Sequence, residues 1–187
     1  MTEAIESFDV ESLTVFICHD DTCMDLEVSG CESDIKLCSF DTRSTLSGSN
    51  EFADAQEVID FCRKESFIPF LLYKYEHGMC MYTAVEKPDD VGYPFNDQWD
   101  AGCVGFILVP KDSYEEPLEA ANSYLSSVTD WCNGSVYGYT IQDDDGEELD
   151  SCWGFVGYEH VEQSAKEAAA GIAEQLPKQL EIEGVER

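Results

Sequence analysis

Cys152 stands beside Trp153, and histidines at 77 and 160 could serve a thiol as base. In that chemistry an imidazole takes the thiol proton and the thiolate attacks as nucleophile. The three histidines of the chain leave the choice of partner open. The mid-strand position of Cys152 points instead to a small core residue. Cys18, His19, Cys23, Cys31 and Cys38 are of zinc-ligand type. Their spacing, C-x4-C-x7-C-x6-C, lacks the C-x2-C knuckle, and alternation along strands turns several of them inward. Asp143-Asp144-Asp145-Gly146-Glu147-Glu148 invites a calcium reading. An EF-hand register with Gly146 in sixth place would make Ile141 the first ligand, so the run reads as a hairpin turn. No metal or cofactor is expected.

The acids are the sharper signal. Forty Asp and Glu face ten Lys and Arg, a formal charge of -30. Residues 1–35 hold ten acids and no base, and residues 112–165 hold thirteen acids and again no base. An ordinary solvated surface mixes both signs. Duplex DNA carries one charge per about 1.7 Å of axis, a density that carboxylates on helix and strand surfaces can approach. The face expected to do so comprises Asp112, Glu115, Glu116, Glu119, Asp130, Asp143, Asp144, Asp145, Glu147, Glu148 and Asp150, with Asp20, Asp21 and Asp25 from the first tract. Such a charge argues against direct binding to nucleic acid or to an anionic membrane, both of which need a basic surface. The partner it favours is the basic surface of a nucleic-acid-binding protein.

Hydrophobic residues make up 43% of the 187, enough for a packed core despite the charge. Met1 to Glu11 carries four acids and no basic leader region, and no apolar run approaches the roughly 18 residues of a membrane span. Nine cysteines, an odd count, point to free thiols in a cytosol.

Positioning these side chains requires a mixed set of elements. Residues 12–18, 24–29 and 34–40 read as short strands, with a turn at Asp20-Asp21. Ser44 to Asn50 is a polar linker, which divides a β-rich segment, 1–50, from a main α+β domain, 51–187. Phe52, Ala55, Val58, Ile59 and Cys62 recur at helical spacing over 52–65. Phe67 to Tyr75, Met79 to Val85 and Ala101 to Val109 read as strands, the first and last buried. Trp99-Asp100 is expected to pack and cap the loop before the third. A helix should start at Ser113 with a Ser113/Glu116 capping box, bury Leu118, Ala121, Leu125, Val128 and Cys132, and stop at Asn133-Gly134. A hairpin follows over 135–142 and 148–156. A last helix, 160–176, carries the stripe Val161, Ala165, Ala168, Ile172 and Leu176, and Pro177 ends it. The fold class expected is α+β, a mainly antiparallel or mixed sheet with about three helices on one face. Of the tyrosines, Tyr73, Tyr75, Tyr82, Tyr137, Tyr139 and Tyr158 are expected around the sheet, mostly in its core.

Four segments carry a resemblance: Leu72 to Gly78, Trp99 to Ile107, Gly134 to Tyr139 and Asp150 to Phe155. In this order they resemble a family of small proteins encoded by phages and integrative elements, with motifs like W-D-S-G-Q-V-G-F-I, G-D-V-Y-G and D-S-C-W-G-F. Ala101 and Cys103 stand where the family pattern has Ser and Gln. The resemblance covers residues 68–160 and implies a mobile-element origin and a place in the host cytosol. It implies no reaction.

The function expected is that of an accessory protein that blocks a host nucleic-acid-binding defence complex, of restriction or CRISPR type, by presenting a DNA-like surface. Two alternatives stand beside it: a small enzyme or thiol-dependent protein using Cys152 or His77, and a salt-adapted acidic protein.

Overall fold

A computed structural model describes residues 3–23, 34–42, 46, 51–87, 94–97 and 99–176. Along the chain lie β1 (Ala4–Val10), β2 (Leu13–His19), β3 (Lys36–Ser39), α1 (Ala55–Glu65), β4 (Phe67–His77), β5 (Met79–Val85), β6 (Ala101–Pro110), α2 (Pro117–Cys132), β7 (Val136–Gln142), β8 (Glu148–Val156) and α3 (Tyr158–Gln175). The fold is α+β, with three helices and two four-stranded antiparallel sheets. No described helix is long and apolar enough to cross a membrane. The strand expected at 24–29 lies outside the described residues.

Two compact units divide the chain: a terminal unit, Met1–Asp20 with Tyr137–Arg187, and a central unit, Asp21–Val136. This differs from the boundary expected at 50/51. β1 and β2 join β7 and β8 in one sheet, while β3 joins β6 in the other. Of the expected linker only Leu46 is described, and it is buried in the core of the central unit.

The terminal unit is one sheet, in the order β1-β2-β7-β8, with α3 on one face. Leu13, Val15 and Ile17 of β2 alternate inward and meet Tyr139 and Ile141 of β7. Against them lie Val161, Ala165, Ala169 and Ala173, a row four residues apart on α3. Three alanines in that row let the helix lie close to the sheet. The expected stripe was rotated: Ala168, Ile172 and Leu176 flank this row and are half-buried. Strand β1 falls where the sequence showed only an acidic N-terminus. Its register shifts between Ala4 and Glu6, which breaks the alternation that would have marked it.

The central unit has three layers. Its sheet runs β3-β6-β4-β5. Ile107, Leu108 and Val109 of β6 are all fully buried, so successive side chains are covered on opposite faces. Leu108 packs with Cys38 on Val58 and Cys62 of α1. Ile107 and Val109 pack with Phe70 and Leu72 on Ala121, Leu125 and Val128 of α2. In this unit the helices lie on both faces, not on one as expected, because β4 and β6 are apolar on both sides. At Gly105 a side chain would place its Cβ 1.9 Å from the carbonyl oxygen of Cys38, so only glycine admits β3 at this distance.

Both helices of the central unit begin for local reasons. Asp54 caps α1 by accepting from the Glu57 N–H at 3.0 Å, and the Glu57 carboxylate accepts from the Ala53 N–H at 2.7 Å. The capping box expected at Ser113 does not form. Ser113 donates its hydroxyl to Asp34 at 3.0 Å, and α2 starts later, with Pro117 in the first turn. Proline has no N–H to satisfy there and its φ suits the helix. Once started, α2 does more than bury an apolar face. Its Asn133 accepts from the Cys80 N–H at 2.9 Å and donates to the Cys80 carbonyl at 2.8 Å. Thr129 accepts from the Tyr82 N–H at 3.1 Å, and Asn122 accepts from the Ala84 N–H at 2.8 Å. The outer edge of β5 is thus paired by side chains of a helix instead of by a strand.

Candidate functional site

The acids gather first through strand register. Glu11, with φ 54, and Ser12 form the tight turn from β1 into β2. Thr14 pairs with Gln142, so the turn after β7 lies at the same end of the sheet. That end carries Asp9, Glu11, Asp143, Asp144, Asp145, Glu147 and Glu148. The second turn closes on itself. The Asp143 carboxylate accepts from the N–H groups of Asp145 at 3.0 Å and Glu147 at 2.9 Å. The Gly146 N–H donates to the Asp143 carbonyl, and Gly146 takes φ 80. Asp143 therefore shapes the hairpin, as the sequence suggested, and Asp144, Asp145, Glu147 and Glu148 are left exposed around it. Thr14 donates to Asp9 at 3.1 Å and Ser151 to Glu148 at 3.0 Å.

Spacing gives this sheet end its meaning. Four strands at about 4.8 Å leave three gaps, a width of about 14 Å. Seven carboxylates share that width, Asp9 and Glu11 at the turn from β1 to β2 and five at the hairpin from β7 to β8. Among the described residues no Lys or Arg pairs with any of the seven.

The remaining acids of the expected face fall elsewhere. Asp150, on β8, accepts from the Tyr139 hydroxyl at 3.3 Å. Asp20 follows the far end of β2. Asp21, in the central unit, is exposed, and Asp25 lies outside the described residues. Asp112, Glu115, Glu116 and Glu119 are exposed around the start of α2, where the helix dipole favours negative charge, and Asp130 is half-buried near its end. The single face read from the sequence resolves into a sheet-end group in one unit and a helix-start group in the other. Asp9 and Glu11 were missed because finding them required seeing β1.

Asp150 also marks a pH-sensitive contact. Burial first, then the charges of Asp150 and Cys152, pushes the Tyr139 phenol up to about 12. Burial and the Glu6 carboxylate, which accepts from its hydroxyl, push Tyr158 up to about 12 as well. Both protons are held more tightly in the fold than in the unfolded chain. Their contribution is complete below the ordinary tyrosine value of about 10 and is lost as pH rises through 12, at about 1.4 kcal/mol per pH unit for Tyr139. Urea unfolding at increasing alkaline pH should show this decline, and Tyr139→Phe should flatten it.

The thiol reading fares differently. Cys152 is exposed on the edge strand β8, not buried as expected. Trp153 beside it lies across Gly138, where a Cβ would meet the indole at 2.2 Å. His160 is bound through Nδ1 to the Val156 carbonyl at 2.8 Å, and His77 through Nδ1 to Asp100 at 2.7 Å. Cys152 belongs to the terminal unit and His77 to the central one. Cys18 and Cys38 are buried and Cys23 half-buried, while Cys31 lies outside the described residues. Tyr73, Tyr82 and Tyr139 are buried, and Tyr75, Tyr137 and Tyr158 half-buried. Among the described residues no three His, Cys, Asp or Glu gather as metal ligands.

A groove of about 890 Å³ in the central unit was not anticipated. Lys74 lines it and is only 7% exposed, with Nζ 3.3 Å from Asp41 and 2.5 Å from Glu76. Burial pulls the ammonium down, but the hydrogen bonds to Glu76 and Asp41 outweigh it, and its pKa is raised. Trp99 lines the same groove at 86% exposure, so it does not pack as expected. Its N–H and that of Asp100 both donate to the Asp97 carboxylate, a turn that leaves the indole outside. Those two bonds hold Asp97 below the usual carboxylate range. The one signal for this site was a lysine inside an apolar run, Phe67 to Tyr75.

No family model, curated protein or solved structure matches the chain.

Proposed function

We propose that this is a mobile-element accessory protein that occupies the nucleic-acid-binding surface of a host defence complex in place of DNA. The observation that carries the reading is the acidic end of the terminal sheet, where seven carboxylates gather and, among the described residues, no Lys or Arg pairs with them. Two features support it: the base-free tracts at 1–35 and 112–165, and the resemblance to phage and integrative-element proteins. The mechanism is occlusion. Carboxylates take the lysines and arginines that would hold phosphates, and no bond is made or broken. The host cytosol is where such a partner would be met.

The mechanism makes affinity depend on salt. A contact of six or more charges should lose on the order of 10³ in affinity between about 50 and 200 mM salt. Titration of the isolated complex across that range is the test, and a flat affinity would overturn the reading.

A second reading rests on the groove. Asp100 lines it and is paired to His77, which does not, and such a pair can move a proton for a bound small molecule. It leaves the two acidic groups without a role, and it predicts that His77→Gln removes activity while salt has little effect.

A further inference from the structure

The described cysteines of the central unit include two pairs with opposite surroundings. Cys38 and Cys62 sit in the core cluster beneath α1, at 2% exposure each, and burial pushes both thiols up. Cys80 on β5 and Cys132, the last residue of α2, are only half-buried and pack against the same core cluster, where each thiol acts on the other's proton. The backbone fixes that approach. Asn133, next in sequence to Cys132, holds both the N–H and the carbonyl of Cys80. Cys80 therefore cannot drift from Cys132 unless the end of α2 leaves the sheet edge.

We propose that Cys80 and Cys132 form a redox-active dithiol that closes to a disulfide between β5 and α2 when a peroxide oxidises it. The Cys80 thiolate attacks one peroxide oxygen: an S–O bond forms, the O–O bond breaks, and hydroxide leaves to become water. The Cys132 sulfur then attacks the Cys80 sulfur. An S–S bond forms, the S–O bond breaks, and a second water leaves with the Cys132 proton. Two thiols and one hydrogen peroxide give one disulfide and two waters, with two electrons passing from sulfur to oxygen.

The polarity of the pair follows from its neighbours. The Cys132 thiol and the positive charge of Lys74 draw the Cys80 thiol below its ordinary value, against its burial, while Cys132 is pushed up. The step takes Cys80 as the attacking thiol and Cys132 as the resolving one, an order that trapping by dimedone tests. The proposal does not depend on the acidic sheet end, which belongs to the other unit.

The test is peptide mapping of the folded protein after treatment with one equivalent of hydrogen peroxide. The expected product is a single cross-link joining the Cys80 and Cys132 peptides, reversed by dithiothreitol, with Cys38 and Cys62 still reduced. In Cys132→Ser the Cys80 sulfenic acid should persist and be trapped by dimedone. A cross-link between other cysteines, an unreacted Cys80, or dimedone labelling of the wild type equal to that of Cys132→Ser would overturn the proposal. The wild-type map decides it even if the variant fails to fold.

Discussion

Replacing Asp9, Glu11, Asp144, Asp145, Glu147 and Glu148 together by their amides should weaken partner binding by about 10³, while each single change costs only a few-fold. The reason is collective. Each carboxylate is exposed and screened, so one contact is worth little, but six on one sheet end release counterions together. The chosen set spares Asp143, whose carboxylate closes the hairpin through two backbone N–H groups. The variant should therefore fold, and it should gain stability, because removing six like charges from a chain of net charge -30 relieves self-repulsion. Binding and melting temperature are expected to move in opposite directions. A loss of both would mean that the acids hold the fold and do not bind.

The second large effect concerns the covered edge of β5. Asn122→Ala with Asn133→Ala should destabilise the central unit by about 3 kcal/mol. Asn122 serves the N–H and carbonyl of Ala84 and Asn133 those of Cys80, and the estimate takes each of these four groups just under the low end of about 1–3 kcal/mol because water can reach a sheet edge. Denaturant melts should show the midpoint falling at constant slope. The exposed edge should also drive self-association at high concentration, because a bare strand edge is a template for another strand. Scattering that stays monomeric, with an unchanged midpoint, would mean that water replaces the asparagines at no cost.

How much of this was legible in the sequence differs by element. β5 was read to the residue because Gly78 and the residues after Val85 punctuate it. β4 and β6 announced themselves as apolar runs, and the same runs implied burial on both faces, which is why α1 and α2 take opposite sides. The start of α2 was misplaced because Ser-x-x-Glu matches a capping box whether or not the serine has a better partner, and Asp34 lies 79 residues away in sequence from Ser113. Asn133 reads in the sequence as part of the helix stop, and Asn122 and Thr129 carry no signal of their own. Only the sheet edge gives the three a purpose. The acidity was plain, but its organisation was not. Residues 9 and 11 reach residues 143–148 through the pairing of β1 with β2 and of β2 with β7, and pairing of that kind leaves no local trace. The Lys74 groove was hidden for the same reason, since Asp41 reaches Lys74 across 33 residues.

If the acidic sheet end stands in for DNA, duplex DNA must compete with it for the partner. The protein would be immobilised and loaded from host lysate at low salt, then washed with duplex DNA or with the same concentration of a neutral polymer. A nucleic-acid-binding complex should be retained, duplex should displace it while the polymer does not, and the six-amide variant should never retain it. A complex that stays bound under saturating duplex, or that binds the six-amide variant equally well, would mean that the acidic sheet end does not occupy a DNA-binding surface.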